Sequence, residues 1–262
     1  MEISTGLHPD GTAEVTVDAP PVNALGAAAW HRLAASVREA GRDPRVRAVL
    51  LRAEGRGFNA GVDIKELRRE GHAALVAVNR GCADAFDAVY TCPVPVVAAV
   101  QGHCLGGGVG LAGNADIVIA AEDASFALPE VDRGALGAAT HLRRLVPDHL
   151  ARAMVYTCRP ATAAQLHAFG SLLEVVPPTE LRGAALRAAG DIAAKDPEVI
   201  RRAKESLNGT DPVDPRRSYR FEQGFTFELA LNGTGDRLRE AFAGQGARPG
   251  ARTDPNPSGE GT

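Results

Sequence analysis

The chain lacks any Cys-x-x-C pair: its four cysteines, Cys82, Cys92, Cys104 and Cys158, stand far apart. That spacing fits neither a metal site nor a disulfide framework, and reduced thiols in the cytoplasm are the expectation. No Gly-Lys-Ser/Thr run occurs anywhere, which excludes a phosphate-cradling P-loop. Charge is nearly balanced, with 29 basic and 32 acidic residues and a net charge of −3. Neither nucleic acid nor an anionic membrane is therefore an expected partner. Polar residues or glycines break every apolar run before it reaches spanning length. The opening MEISTGLHPD has no basic-then-apolar leader pattern. What remains is a 262-residue chain with 45% hydrophobic and 23% charged residues, ordinary for a globular protein with a substantial core.

The stretch from Cys92 to Gly134 organises the rest. Pro95 to Val100 reads as a short buried strand, and Ala115 to Ala121 as another. Between them lie three consecutive glycines, Gly106, Gly107 and Gly108, at the predicted start of a short helix ending near Gly113. Such glycines let backbone approach a ligand closely, and the free N–H groups of a helix start point outward. Backbone alone could then stabilise developing negative charge. Gly108-Val-Gly110-Leu-Ala-Gly113 also matches the dinucleotide fingerprint. Its strand ends too early, at Val100, and the next run begins too soon, at Ala115, for that motif. Glycines kept only for tight packing are the plainer alternative.

Thr12 to Asp18 alternates apolar and polar residues and predicts a half-exposed strand. Asn23 sits where an N-cap would precede a helix from Gly26 to Ala40. Val46 to Ala53 predicts a strand, Asp63 an acidic cap on a short helical turn, and His72 to Tyr90 a long helix. Short helices follow Gly134, with one last strand at Leu172 to Val176. From Leu181 the pattern is helical up to Phe242, and Gly244 to Thr262 has the composition of a disordered tail. The pattern predicts an α/β core over residues 1–190, a helical region over 191–243 and a tail over 244–262.

Four motifs in order carry a resemblance: PVNAL at 21–25, GRGFNAGVDIKEL at 55–67, AVQGHCLGGGVGLAGNADIVIA at 99–120 and FALPE at 126–130. Together they resemble the crotonase (enoyl-CoA hydratase/isomerase) superfamily, over roughly residues 14–242. The resemblance implies a spiral of ββα repeats, a C-terminal helical region that trimerises, and an acyl-CoA thioester substrate. It implies no cofactor beyond the CoA moiety, and a homotrimer or dimer of trimers. Two backbone N–H groups would hold the thioester oxygen as it becomes an enolate. Carried over by position, these belong to Ala60 and Gly107, with Gly61, Gly106 and Gly108 as neighbours free of side chains. The loop Asn59, Gly61, Asp63, Ile64, Lys65 would hold the adenine end of CoA, although Asp63 serves equally well as a helix cap.

One departure bears on chemistry. Family hydratases position water with two glutamates, and the first of those positions here is Gly110. The second is present as Glu130. Half an acid–base pair is poorly suited to hydration. A finer similarity, in runs such as LPEVDRGALGAATHLRRLVP and SYRFEQGFTFEL, is to an actinobacterial subgroup. Its members open the last rings of degraded steroids by hydrolysing a C–C bond in a bicyclic diketone CoA thioester. Glu130 is then the candidate base, Asp132 the second candidate, with a salt bridge to Arg133 as the alternative for Asp132. His103 is a candidate ligand contact and His141 a weaker one. Tyr219 and Phe225, on a C-terminal aromatic stripe, are candidates to cover CoA, although such stripes usually pack a core or an interface. Enoyl-CoA isomerisation or weak hydration, and silent acyl-CoA binding, stand as alternative functions.

Overall fold

The computed structural model describes residues 1–245. Six strands form the main sheet: β1 (Glu2–Leu7), β2 (Thr12–Asp18), β3 (Ala48–Ala53), β4 (Val96–Val100), β6 (Ile117–Ala121) and β9 (Glu174–Val176), in that spatial order. β1 and β2 are antiparallel; every later pair is parallel. A smaller sheet holds β5 (His103–Leu105), β7 (Ser125–Ala127) and β8 (Ala161–Thr162).

Both faces of the main sheet are covered, and the sequence follows from that. In β4, VVAAV, all five residues are buried, as a central parallel strand requires. Alternate side chains serve two cores. Val15, Val49, Leu51, Ala98 and Val118 join Trp30, Leu33 and Val37 of α1 (Ala27–Arg42). Leu50, Val97, Ala99 and Ile119 pack instead on Leu181, Ala185 and Ala189 of α7 (Leu181–Ala193). The expected half-exposed β2 is corrected here, since only Thr16 and Asp18 in it escape full burial. Glu14, on its polar face, meets partners instead of water: its carboxylate binds Arg182, Arg52 and His8.

The chain steps repeatedly from the main sheet to the small one and then into a helix. β3 leads to a one-residue bridge at Asn59 and then α2 (Ile64–Tyr90). β4 leads to β5 and α3 (Gly107–Asn114). β6 leads to β7, then a 3-10 turn (Val131–Arg133) and α4 (Ala139–Leu142). This is the ββα repeat that the resemblance implied. The remaining helices are α5 (Asp148–Thr157), α6 (Ala163–Ala168), α8 (Pro197–Gly209), α9 (Pro215–Leu231) and α10 (Thr234–Gln245). Gly244 and Gln245, expected in the tail, close α10; the rest of that stretch lies outside the described residues.

Gly71 breaks α2 with φ +66° and ψ −147°, which separates the Asp63-capped turn from the long helix. Asn23 is not the cap of α1, whose N-cap is Gly26. With φ +54° its side chain turns inward, accepting from Ala19 N–H (2.7 Å) and donating to the Glu54 and Gly57 carbonyls (both 2.8 Å). It ties the loop before α1 to the loop after β3.

Candidate active site

Three rungs of the small sheet lie side by side and in parallel: Asn59 pairs with Cys104, and Cys104 with Phe126. Because all three run the same way, the residues just beyond them emerge at one place. Those residues are Gly61 and Val62, Gly106 and Gly107, and Glu130. They meet at a cavity of about 80 Å³, roofed by Ile64, Leu67 and Leu75 of α2 and by Arg239 of α10.

The first loop is fixed by its own asparagine. Asn59 is buried, accepts from Gly61 N–H (2.8 Å) and donates to the Asn23 carbonyl (2.6 Å). Ala60 lines the cavity, but its N–H is committed to the Val22 carbonyl at 3.1 Å. The expectation that Ala60 supplies an oxyanion donor is therefore corrected. Val62 is the candidate in its stead. Its neighbours hold Leu25, through Leu25 N–H to Gly61 O and Asp63 N–H to Leu25 O (both 2.9 Å). Among the described residues its own N–H has no acceptor, nor has that of Gly107, the first residue of α3. The two strands of backbone touch: a Cβ on Gly61 would lie 3.2 Å from Gly107 N.

Gly106 adopts φ +54°, and a Cβ there would sit 2.2 Å from Glu130 Oε1. Glycine at this position lets the carboxylate rest against the turn beside the Gly107 N–H. Glu130 Oε2 is enclosed, with no hydrogen-bond partner among the described residues. Burial lifts the Glu130 carboxyl to about 7, with a small push from Glu222 and opposing pulls from its own N–H and from Arg133. A carboxyl poised there can exchange a proton near neutrality.

The far wall is aromatic. Phe86 stands edge-on to Trp30 (5.7 Å between centroids) and packs on His141 (4.9 Å) and Tyr219 (5.1 Å). His141 is buried, and burial, aided by Arg144, pulls its imidazole down to about 3, so it stays neutral. Trp30 also supports Gly107, where a Cβ would meet the indole at 2.7 Å. At Gly110 a Cβ would lie 2.2 Å from Phe86 Cζ. The hydratase glutamate position is thus occupied in space by a phenyl ring.

Of the other expected residues, Asp63, Lys65, Gly108, His103, Asp132 and Phe225 lie outside the cavity and Tyr219 lines it. Asp63 caps α2 by accepting from Lys65 N–H (2.8 Å), and Lys65 is exposed. Gly108 abuts the Asn59 carbonyl and lets α3 approach the first loop. His103 donates through Nε2 to the Val22 carbonyl at 3.0 Å, which makes it a brace for the loop that also holds Ala60. Asp132 is exposed, on the 3-10 turn beside Cys158. Tyr219 is buried in the cavity wall of its own chain, whereas Phe225 pairs with Phe221 (5.1 Å) on the outer side of α9. Sequence reasoning missed Val62, Phe86, Arg133 and Arg239 as cavity residues. Val62 and Arg133 stood inside quoted runs that could have revealed them; Phe86 and Arg239 did not.

Residues 8–226 match the enoyl-CoA hydratase/isomerase family. The chain belongs to that family. An enoyl-CoA hydratase/isomerase structure from Xanthobacter autotrophicus Py2 superposes with a TM-score of 0.81 at 28% identity, covering 96% of this chain and 99% of that one. Two relatives are much nearer in sequence, and both are named (7aS)-7a-methyl-1,5-dioxo-2,3,5,6,7,7a-hexahydro-1H-indene-carboxyl-CoA hydrolase. The Rhodococcus jostii protein is 58% identical, over 94% of this chain and 96% of its own length. The Mycobacterium tuberculosis protein is 59% identical, over 92% and 98%. Among the described residues of this family member, no helix is long and apolar enough to cross a membrane.

Proposed function

We propose that this enzyme hydrolyses a ring C–C bond in a bicyclic diketone CoA thioester, the substrate class its two nearer relatives are named for. The carrying observation is a cavity with one poised carboxylate, Glu130, where Phe86 fills the space of the first hydratase glutamate, at Gly110. Glu130 takes a proton from water, which adds to a ring ketone. The adjoining C–C bond breaks and its electron pair delocalises into the conjugated thioester. The N–H groups of Val62 and Gly107 hold the thioester oxygen as it gains charge. Glu130 then returns its proton to carbon, and water has been added across the broken bond. The CoA moiety enters as part of the substrate, with no separate cofactor.

A single carboxylate facing two amide donors also suits proton shuttling in an enoyl-CoA isomerase. Products from a bicyclic diketone CoA ester and from crotonyl-CoA, analysed side by side by mass spectrometry, separate the readings. Ring opening is expected, with a new carboxylic acid that esterifies; crotonyl-CoA turnover should be slow or undetectable. Hydration of crotonyl-CoA at a rate matching the diketone would overturn the proposal. We further propose a cytoplasmic homotrimer or dimer of trimers. Phe221 and Leu231 of α9, 71% and 80% exposed, are apolar surface that such an assembly would cover. A stable monomer by light scattering at micromolar concentration would contradict it.

A further inference from the structure

The cavity contains more positive charge than a neutral diketone needs. Arg133 and Arg239 both line it, alongside Glu130 and otherwise mostly apolar groups. They come from different elements, the 3-10 turn and α10, which meet where Gly134 touches Gly235: a Cβ on Gly134 would lie 2.6 Å from Gly235 Cα. Arg133 lies over the Phe242 ring, 4.7 Å from its centroid, and its enclosed Nε has no hydrogen-bond partner among the described residues. Arg239 is 9% exposed and spends one amino group on Asp236, 2.6 Å away at the surface end. An enclosed guanidinium N–H without an acceptor carries a desolvation cost. That arrangement fits a cavity that receives an anion during the reaction.

We infer that Arg133 and Arg239 bind the carboxylate formed from the ring ketone, and the alkoxide that precedes it. The inference rests on the ring-opening reading above. Water loses a proton to Glu130 and its oxygen bonds to the ketone carbon. The carbonyl π pair moves to oxygen, giving an alkoxide that the guanidinium groups hold. As the alkoxide re-forms C=O, the ring C–C bond breaks and its pair passes to carbon and the thioester. Glu130 delivers its proton to that carbon, and the new acid releases a proton to solvent as the carboxylate. The site thus has two anion holders at opposite ends of one reaction: backbone N–H groups for the thioester oxygen, guanidinium groups for the ketone oxygen. An isomerase or hydratase, which creates charge only at the thioester end, needs only the first.

The test uses the full chain, a bicyclic diketone CoA ester as substrate and its purified ring-opened acid as inhibitor. In Arg133→Met and Arg239→Met, kcat is expected to fall about 10²-fold, the usual loss for one oxyanion donor, with KM changed less than about threefold. Inhibition by the ring-opened acid should weaken at least about tenfold, while inhibition by a CoA thioester without that carboxylate stays unchanged. Lysine at either position should restore part of kcat. A structural role would not produce this split between the two inhibitors. If Arg239→Met fails to fold, Arg133→Met alone decides: among the described residues it gives up the Phe242 ring contact and its electrostatic pull on Glu130, and neither loss separates the two inhibitors in the expected direction. Native kcat and native inhibition by the acid in Arg133→Met would overturn the inference while leaving ring opening intact. A wild-type enzyme that does not open the diketone would overturn the functional reading, and this inference with it.

Discussion

Above about pH 7 the Glu130 carboxyl carries charge in a wall that gives Oε2 no partner. A base must be deprotonated to act, so kcat should rise with pH through about 7 and level off beyond it. Glu130→Gln should lower kcat about 10²–10⁴-fold and flatten that profile. Asp132→Asn should leave kcat within about twofold, because Asp132 faces solvent. Stability should run the other way. A carboxyl whose folded value is raised contributes stability below its unfolded value, near 4.5, and loses it as pH rises through about 7. Denaturation midpoints at pH 5 and pH 8 should therefore fall in wild type relative to Glu130→Gln, by an equivalent of roughly 3 kcal/mol at most. A constant difference between the two proteins would show that the charge is solvated.

At the scale of single elements, α3 shows why this family member departs from the hydratase pattern. Its glycines are contact surfaces, and Gly110 faces the Phe86 ring with no room for a side chain. Gly110→Glu should fail to create hydratase activity and should destabilise the fold by roughly 1–3 kcal/mol or more through overpacking. Crotonyl-CoA assay and denaturant unfolding check the two halves. Phe86→Ala combined with Gly110→Glu should recover part of the stability loss, because it removes the ring that causes the clash. The elements differed in how much of this showed in the sequence. β4 and the glycine-opened α3 were legible because burial writes itself into apolar runs and punctuation; β2 was legible as a strand by its alternation, but its burial was not, because the partners of Glu14 come from elsewhere in the chain. β5 and β7 were not, at three residues each, although they aim the catalytic loops. Position along a motif pointed to Ala60, but the direction of its N–H depends on Val22, thirty-eight positions away in the chain. Asp132 stood as the second candidate two residues from Glu130; the 3-10 turn carries it to the surface. Arg239 bears no motif at all, and only the docking of α10 beside Gly134 brings it to the cavity.

Across the whole molecule, Glu14 joins the second strand to the start of α7. Arg182 contributes most to pulling its carboxyl down to about 2, helped by His8 and Arg52 against the cost of burial. A depressed value contributes stability above the unfolded value, near 4.5, and loses it as pH falls toward 2. Arg182 is itself about half exposed, which weakens the pair through solvent screening. Glu14→Gln should therefore cost roughly 2 kcal/mol near neutral pH and less than about half of that at pH 3. Equal destabilisation at both pH values would mean that packing, and not charge, is what Glu14 contributes.

The spatial order of the main sheet, β1-β2-β3-β4-β6-β9, is also the order in which its strands leave the ribosome. Each strand that emerges finds its neighbour already made, so the sheet can grow outward during synthesis without waiting for a later segment to be inserted. Function has no such schedule. The cavity draws residues from Ala60 through Arg239, and the helix that covers the second face of the sheet begins only at Leu181. A nascent chain can thus hold most of its strands in register while one face of the sheet is still bare and the cavity lacks its roof. Over that interval the exposed apolar face, and not strand mispairing, is the surface that chaperones would have to shield.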